Sequence, residues 1–273
     1  MNNIILSFYE MESLDKFYTK KEIADSFLIK IKEILKIEKT DIVIEPSAGD
    51  GSFIDGVEKL SDNPLFYDIK PENSKITEQD YLKLDYSSLK NKKIHVIGNP
   101  PFGRQSSLAI KFIKFSSLFC NTISFILPKS FKKDSMKSKI PINFHLLYEE
   151  DLPKNSFLLK GEIHDVPCVF QIWKKRDTNR DIPKKLIPKG YNFVKKTQDH
   201  DISFRRVGGT AGTIDVFTEN KNTESHYFIK FDSKPSEKLL ENIRNLKFSS
   251  RDMTVGPRSI SKQEIIKEFN SLT

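Results

Sequence analysis

Cysteine is nearly missing from this chain of 273 residues: there are two, Cys120 and Cys168, far apart and without a Cys-x-x-Cys spacing or a neighbouring histidine. That argues against a disulfide scaffold and a zinc site, and leaves both thiols as expected small buried hydrophobes with no metal in prospect. Long apolar runs are missing too. No stretch approaches the ~18–20 residues of a membrane span, and the opening residues MNNIILSFYEMESLD carry neither a basic start nor a secretory cleavage site. A cytoplasmic chain with no membrane partner is the expectation. Repeats and low-complexity segments are absent as well. What is there is 37% hydrophobic, 30% charged and 11% aromatic, a globular composition long enough for one large domain or one domain with a small appendage.

The formal charge of +8 is unevenly placed. Residues 1–173 hold 24 basic and 24 acidic side chains, whereas residues 174–273 hold 21 basic and 13 acidic. A segregated basic segment suits a polyanionic partner, because phosphate contacts release counterions. The alternative is a solvated lysine-rich surface.

Periodicity organises the rest. Ile23, Phe27, Leu28, Ile31 and Leu35 predict an amphipathic helix over Lys20–Lys36. A strand at Ile42–Ile44, a helix over Gly51–Leu60, and strands at Leu65–Tyr67, near Ile76 and at Ile94–Ile97 follow. Then come a helix over Leu108–Phe119 and a strand at Thr122–Leu127. Such alternation implies right-handed βαβ units and a mainly parallel sheet. Phe144–Tyr148 and Val166–Trp173 read as strands with no helix between them, suited to an antiparallel pair closing the sheet. The charged run from Lys174 to Pro183 marks a boundary, giving domains over 1–175 and 184–273. In the second, Ser203–Val207, Thr213–Phe217 and Tyr227–Phe231 read as strands, and Ser236–Leu246 and Ser261–Phe269 as helices. Ser261 with Glu264 has the form of a capping box.

Asn99-Pro100-Pro101-Phe102 directly follows the strand Ile94–Ile97, where open α/β sheets place their sites. The Asn99 side-chain carbonyl and the Pro100 backbone carbonyl suit an adenine. They can accept the two N–H bonds of its exocyclic amine, favour tetrahedral nitrogen and aim the lone pair at a methyl donor. The prolines stiffen the turn, and Phe102 can stack on the base. An ordinary Pro-Pro turn is the plainer reading. Glu45-Pro46-Ser47-Ala48-Gly49-Asp50-Gly51 follows the first strand, and Gly49 and Gly51 permit close approach of a nucleotide-like cofactor, or simply a turn. Asp68 ends the next strand at a spacing suited to ribose hydroxyls. Asp80, in Gln79-Asp80-Tyr81-Leu82, can accept from a cofactor adenine. Phe17-Tyr18-Thr19 precedes the first helix, where a hydroxyl and exposed amides can hold a carboxylate.

The segments KFYTK, EPSAGDGSF, YDI, QDYL and NPPF, in that order over residues 15–173, resemble the class I S-adenosylmethionine-dependent adenine-N6 methyltransferases, in a gamma-like motif order. The resemblance implies an α/β, Rossmann-like, seven-stranded sheet, mostly parallel with the last strand antiparallel. A small C-terminal α+β domain would follow. It implies S-adenosyl-L-methionine as cofactor and S-adenosyl-L-homocysteine as product. Tyr18 and Thr19 would contact the methionine part, Glu45 its ammonium and Gly49 its edge; Asp68 would bind the ribose, Ile69 would pack on the cofactor adenine, and Asp80 and Tyr81 would mark the edge of that adenine. Asn99, Pro100, Pro101 and Phe102 would handle the target base. Phe157 would be a second aromatic stacking on a flipped adenine, or else a core residue.

The expected partner is nucleic acid, DNA before RNA, with Arg205 and Arg206 as contacts. The loop Gly208-Gly209-Thr210-Ala211-Gly212 is either a hairpin or a cradle of amides for phosphate. NPPF-type sequences also occur in enzymes that methylate adenine in RNA and, as NPPY, glutamine in proteins. A non-catalytic scaffold of the same fold is the reading from another class. His95, inside a strand, is expected to be packed rather than catalytic.

Overall fold

The structure, a computed structural model, describes residues 17–89 and 91–272; the opening stretch MNNIILSFYEMESLD lies outside the described residues. The chain divides into two compact units, Met1–Ile182 and Pro183–Thr273.

The first unit runs β1 (Tyr18–Thr19), α1 (Lys21–Ile34), β2 (Ile42–Glu45), α2 (Ile54–Leu60), β3 (Asn63–Asp68), β4 (Thr77–Glu78), β5 (Ile94–Gly98), α3 (Ser107–Ser116), β6 (Thr122–Pro128), α4 (Asp134–Lys137), β7 (Phe144–Asp151), β8 (Phe157–Leu159), β9 (Glu162–His164) and β10 (Cys168–Lys175). Seven strands form one sheet in the order β4-β3-β2-β5-β6-β10-β7. The pairs from β4 to β6 are parallel, and β10 is antiparallel to both neighbours. The last strand is thus the reversed one, inserted between β6 and β7.

Alternation along each strand sends side chains to the two faces. Val43, Ile97 and Phe170 join Phe27, Leu28 and Ile31 of α1 on one side. Ile42, Ile44, Ile94 and Val96 join Phe112 and Ile113 of α3 on the other. Both cysteines are buried and free. His95 is 2% exposed, with Nδ1 at 2.7 Å from Thr122 Oγ1 and Nε2 at 3.1 Å from Asp41 Oδ2. Burial lowers the imidazole's pKa, so this histidine is a packed group at the amino ends of the strands, away from their carboxyl ends.

The expected helix over Gly51–Leu60 begins only at Ile54, because Gly49 and Gly51 hold φ of +55° and +94° and keep the chain turning. A small sheet, β1-β8-β9, has no counterpart in the periodicity, since strands of two or three residues are too short to show one. Its hairpin turns through Lys160 and Gly161, both at positive φ (51° and 83°), the form that matches strand twist in two-residue loops.

The second unit contains β11 (Tyr191–Val194), β12 (Ile202–Arg205), β13 (Ile214–Asp215), β14 (His226–Phe231), α5 (Glu237–Arg244) and α6 (Lys262–Phe269). Its sheet, ordered β11-β14-β12-β13, is antiparallel throughout. Tyr191, Ile202, Phe204 and Ile229 on one face pack with Leu240, Ile243, Ile265 and Phe269 of the helices. β13 is shorter than the expected Thr213–Phe217 because Asp215 Oδ1 accepts the Phe217 amide and turns the chain. Only half of the capping box forms. Ser261 Oγ accepts the Glu264 amide, whereas the Glu264 carboxylate turns to the Ser250 amide and hydroxyl.

Gly56 lets α1 and α2 approach. A Cβ placed there would lie 2.1 Å from Leu28 Cδ1, itself 5% exposed. Alanine is the better helix former by about 1 kcal/mol, yet overpacking costs about 1–3 kcal/mol. Gly56→Ala should therefore lower the urea midpoint rather than raise it; a stabilised variant would show that the Leu28 side chain yields freely.

Candidate active site

The strand order reverses direction between β2 and β5, which pair in parallel through Ile42–Ile94 and Ile44–Val96. Ligands of open α/β sheets sit outside the carboxyl ends at such a switch point. Here those ends carry Glu45 and Asn99. Gly98 between them holds φ of +145°, and a Cβ on it would come within 3.2 Å of Glu45 Cγ.

Hydrogen bonds draw the motif segments together. Asn99 Nδ2 donates to the Phe17 carbonyl at 3.0 Å, and Ser47 Oγ donates to the Asn99 carbonyl at 3.1 Å. Gly49 N donates to Asp68 Oδ2 at 2.9 Å, while Lys70 N donates to Asp68 Oδ1 at 2.8 Å. The Ala48 amide reaches the Tyr67 carbonyl at 2.9 Å. A Cβ on Gly49 would lie 2.8 Å from Tyr18 Cε1, so the glycine is what lets the ring lie on the loop. Pro46 is buried, Pro100 is buried, and Pro101 and Phe102 are half-buried. The Phe102 carbonyl accepts the Leu108 and Ala109 amides and so holds the start of α3. Asp50 is exposed, its Oδ1 accepting the Ser52 amide and hydroxyl.

Three buried side-chain atoms here have no hydrogen-bond partner among the described residues: Thr19 Oγ1, Glu45 Oε2 and Asn99 Oδ1. Leaving a buried polar atom unpaired costs about 1–3 kcal/mol, so their grouping marks a place where a ligand would supply the partners. The orientation of the Asn99 amide follows from its neighbour. Rotating it by half a turn would set Oδ1 against the Phe17 carbonyl oxygen, two acceptors face to face, and so the free oxygen is the one turned away. Burial pushes the Glu45 carboxyl well above its usual pKa, and the charges of Asp50 and Asp68 add to the rise.

A cavity of about 360 Å³ opens on the same loop, lined by Thr19, Lys20, Asp50, Gly51, Ser52 and Asn73 among others. Thr19, Lys20, Asp50, Gly51 and Ser52 belong to the motif segments. Asn73 carries no motif signal in the sequence. Nor does the Phe17 carbonyl, a backbone group that any residue would supply.

Two expected site residues are packed in the core. Tyr81 is 1% exposed, stacks on Phe112 with ring centroids 5.5 Å apart, and bonds Ser116 Oγ at 2.8 Å, so its side chain is core and not cofactor edge. Phe157 is 0% exposed and meets Phe17 edge-on at 6.4 Å, which takes it out of reach of a target base and makes it a core residue. Asp80 caps its own turn, accepting the Leu82 amide at 3.1 Å and facing Lys83 at 3.1 Å. Ile69 stands 45% exposed beside Asp68. In the second unit, Arg206 donates to the Glu224 carbonyl and lies over the Tyr227 ring at 5.3 Å, while Arg205 Nε donates to the Val207 carbonyl at 3.2 Å. In the loop Gly208–Gly212 the amides of Gly208, Ala211 and Gly212 are bonded to the Arg258, Gly208 and Arg205 carbonyls, so three of its five amides are engaged within the unit. Among the described residues no three His, Cys, Asp or Glu side chains are gathered as metal ligands, and no helix is long and apolar enough to cross a membrane.

The sheet order with its single reversed strand is that of the α/β methyltransferase fold, here joined to a small antiparallel α+β unit. No family model matches the chain, and no curated protein matches it. Solved structures do resemble it. One, described as a candidate RNA methyltransferase from Pyrococcus horikoshii, is 16% identical over 59% of this chain and 87% of its own, with a TM-score of 0.47. A type I restriction-modification methyltransferase subunit from Streptococcus thermophilus is 15% identical over 60% of this chain and 46% of its own, TM-score 0.46. A dimethyladenosine transferase from Plasmodium falciparum is 16% identical over 59% of this chain and 64% of its own, TM-score 0.44. The chain thus spans about half the length of the second and under two thirds of the third.

The Glu45 carboxyl sets a pH dependence. Its pKa is raised in the folded state, so the native protein binds the proton more tightly than the unfolded one, and the stability this contributes is lost as pH rises above about 4.3 through the elevated value. Glu45→Gln should flatten that fall and raise the thermal midpoint of the ligand-free protein at pH 8, by ~2–4 °C per kcal/mol relieved. An unchanged melting profile would mean that Glu45 is solvated or paired.

Proposed function

We propose that this chain is an S-adenosylmethionine-dependent methyltransferase acting on the N6 amine of adenine in nucleic acid, with DNA as its first substrate. The reading is carried by the Asn99 amide, held through Nδ2 on the Phe17 carbonyl with Oδ1 buried and unpartnered.

The residues fit the cofactor. The unpartnered Glu45 Oε2 suits its ammonium, and the Thr19 hydroxyl beside the 360 Å³ cavity suits the methionine carboxylate. Asp68 spends one lone pair of each oxygen on a backbone amide; a carboxylate has about four such sites, which leaves two for ribose hydroxyls. Ile69 presents its side chain to the adenine ring. When bound, the cofactor supplies an electrophilic methyl group on a sulfonium.

The chain's own groups prepare the acceptor. An aromatic amine is a poor nucleophile because its lone pair is conjugated into the ring. Asn99 Oδ1 and the Pro100 carbonyl accept its two hydrogens and favour tetrahedral geometry, so the lone pair leaves the ring plane. Both acceptors are fixed before the base arrives, Asn99 by Phe17 and Ser47, so little reorganisation remains at the moment of transfer. Phe102 flanks the same turn as a stacking surface. A base in a duplex must first be flipped out, at a few kcal/mol. Under this reading residues 1–175 bind cofactor and perform the chemistry, and residues 184–273 meet the polyanion.

The test combines calorimetry with S-adenosylmethionine and tritiated methyl transfer to duplex DNA, single-stranded DNA, tRNA and rRNA. Asn99→Ala should reduce transfer by roughly 100-fold or more while cofactor affinity stays within about twofold. A variant of undiminished rate would remove Asn99 from its role. Transfer to RNA alone would replace DNA as substrate, and the absence of cofactor binding would favour a non-catalytic scaffold.

A further inference from the structure

The helix-free face of the second unit's sheet carries a small polar cavity. It encloses about 120 Å³ and is lined by Ser203, Arg205, Thr213, Asp215, Lys221 and His226, with Thr210 and Ile214 completing the wall. Ser203 is 0% exposed and His226 8%, so this is a built recess and not a film of surface lysines. Asp215 is already paired with Lys221, which leaves the Arg205 charge in excess. Arg205 is fixed through Nε on the Val207 carbonyl, one of its five N–H donors. The Ser203 and Thr213 hydroxyls donate to the Asp215 and Thr210 carbonyls, so the donors that remain for a ligand are those of the guanidinium and the ammonium, which suit a tetrahedral oxyanion.

The chain leaving this cavity carries an unusual side chain. Phe217, two residues beyond Asp215, is 83% exposed, and two residues of chain reach at most about 7 Å. Its loop is not slack. The Phe217 amide donates to Asp215 Oδ1 at 2.9 Å, Thr218 Oγ1 lies 2.7 Å from His200 Nε2, and Lys196 Nζ donates to the Glu219 and Lys221 carbonyls at 2.7 and 2.9 Å. An apolar ring held out in water on a pinned loop forgoes the stabilisation of burial, and a flat ring beside an anion recess is the arrangement with which proteins grip unstacked nucleotides.

We infer that this face of the second unit seats one phosphate of a single-stranded or flipped-out nucleic-acid segment on Arg205, with the Lys221 ammonium beside it, and with Phe217 stacking on the adjoining base. The inference rests on the reading that the chain acts on nucleic acid, and it names where the strand is held. It assigns no such role to Arg206, whose guanidinium is spent on Tyr227 and the Glu224 carbonyl.

His226 reports on the recess without any activity assay. Desolvation holds its pKa below the ordinary histidine value, and Arg205 and Lys221 lower it further while Asp215 raises it; an anion among these groups moves it upward. The full chain is titrated with inorganic phosphate, with a 12-residue single-stranded oligodeoxynucleotide and with a phosphoserine peptide, following the His226 imidazole resonances by NMR. Phosphate and oligonucleotide should both shift them. Arg205→Ala should abolish both responses, and Phe217→Ala should weaken the oligonucleotide roughly tenfold while leaving inorganic phosphate unaffected. If Arg205→Ala fails to fold, Arg205→Lys and the exposed Phe217→Ala carry the test.

Cofactor calorimetry on the same samples separates the two proposals. Oligonucleotide binding undiminished in both variants overturns the phosphate site and leaves the methyl-transfer reading standing. Binding of the phosphopeptide without the oligonucleotide also overturns it. Recess-dependent oligonucleotide binding in a chain that takes no S-adenosylmethionine supports the site and overturns methyl transfer.

Discussion

The parallel pairing of β2 with β5 is the constraint on which the rest of the first unit depends. It sets two loops with unrelated sequences side by side at the carboxyl end of the sheet, one ending in Glu45 and the other in Gly98 and Asn99. The unpartnered side-chain atoms of Glu45 and Asn99 stand at that junction. Shifting either strand by one residue would send its side chains to the opposite face, so the buried alternation of Ile42, Val43 and Ile44 against Ile94, Val96 and Ile97 also holds the candidate site in register.

Around this junction the backbone does much of the positioning. Asn99 is oriented by a carbonyl from the segment before α1 and by the Ser47 hydroxyl from the glycine loop; the loop in turn hangs from Asp68 at the end of β3. The small β1-β8-β9 sheet fixes the segment that carries the Phe17 carbonyl. Four stretches distant in sequence thereby hold one amide. The cost is local: Glu45 stays buried without a cation, and Gln105 and Ser106, just beyond the Asn99 turn, hold left-handed φ values of 53° and 63°, a conformation that costs of order 1–3 kcal/mol per residue. Unpaired polar atoms and strained backbone gathered beside one junction are the pattern of a site kept ready for a ligand at the expense of stability.

The second unit follows a different economy. Its helix-covered face is ordinary core, whereas the opposite face keeps a recess of charged and hydroxyl groups and a loop that presents Phe217 to water. Arg206 and three amides of the glycine loop, conspicuous in the sequence, are engaged in contacts within the unit.

Sequence alone determined the alternation of helices and strands, the reversed last strand and the division of charge, because these rest on period and composition and survive without knowing which segments meet. It also singled out Glu45, Asp68 and Asn99, whose chemistry is carried by their own side chains. Tyr81 and Phe157 looked the same in the sequence as the residues beside them, and only packing put them in the core. The Phe17 carbonyl, the recess at Arg205 and the standing of Phe217 were decided by tertiary structure for a common physical reason. A backbone acceptor has no residue type, and exposure or the absence of a partner belongs to a place in the fold and not to an amino acid.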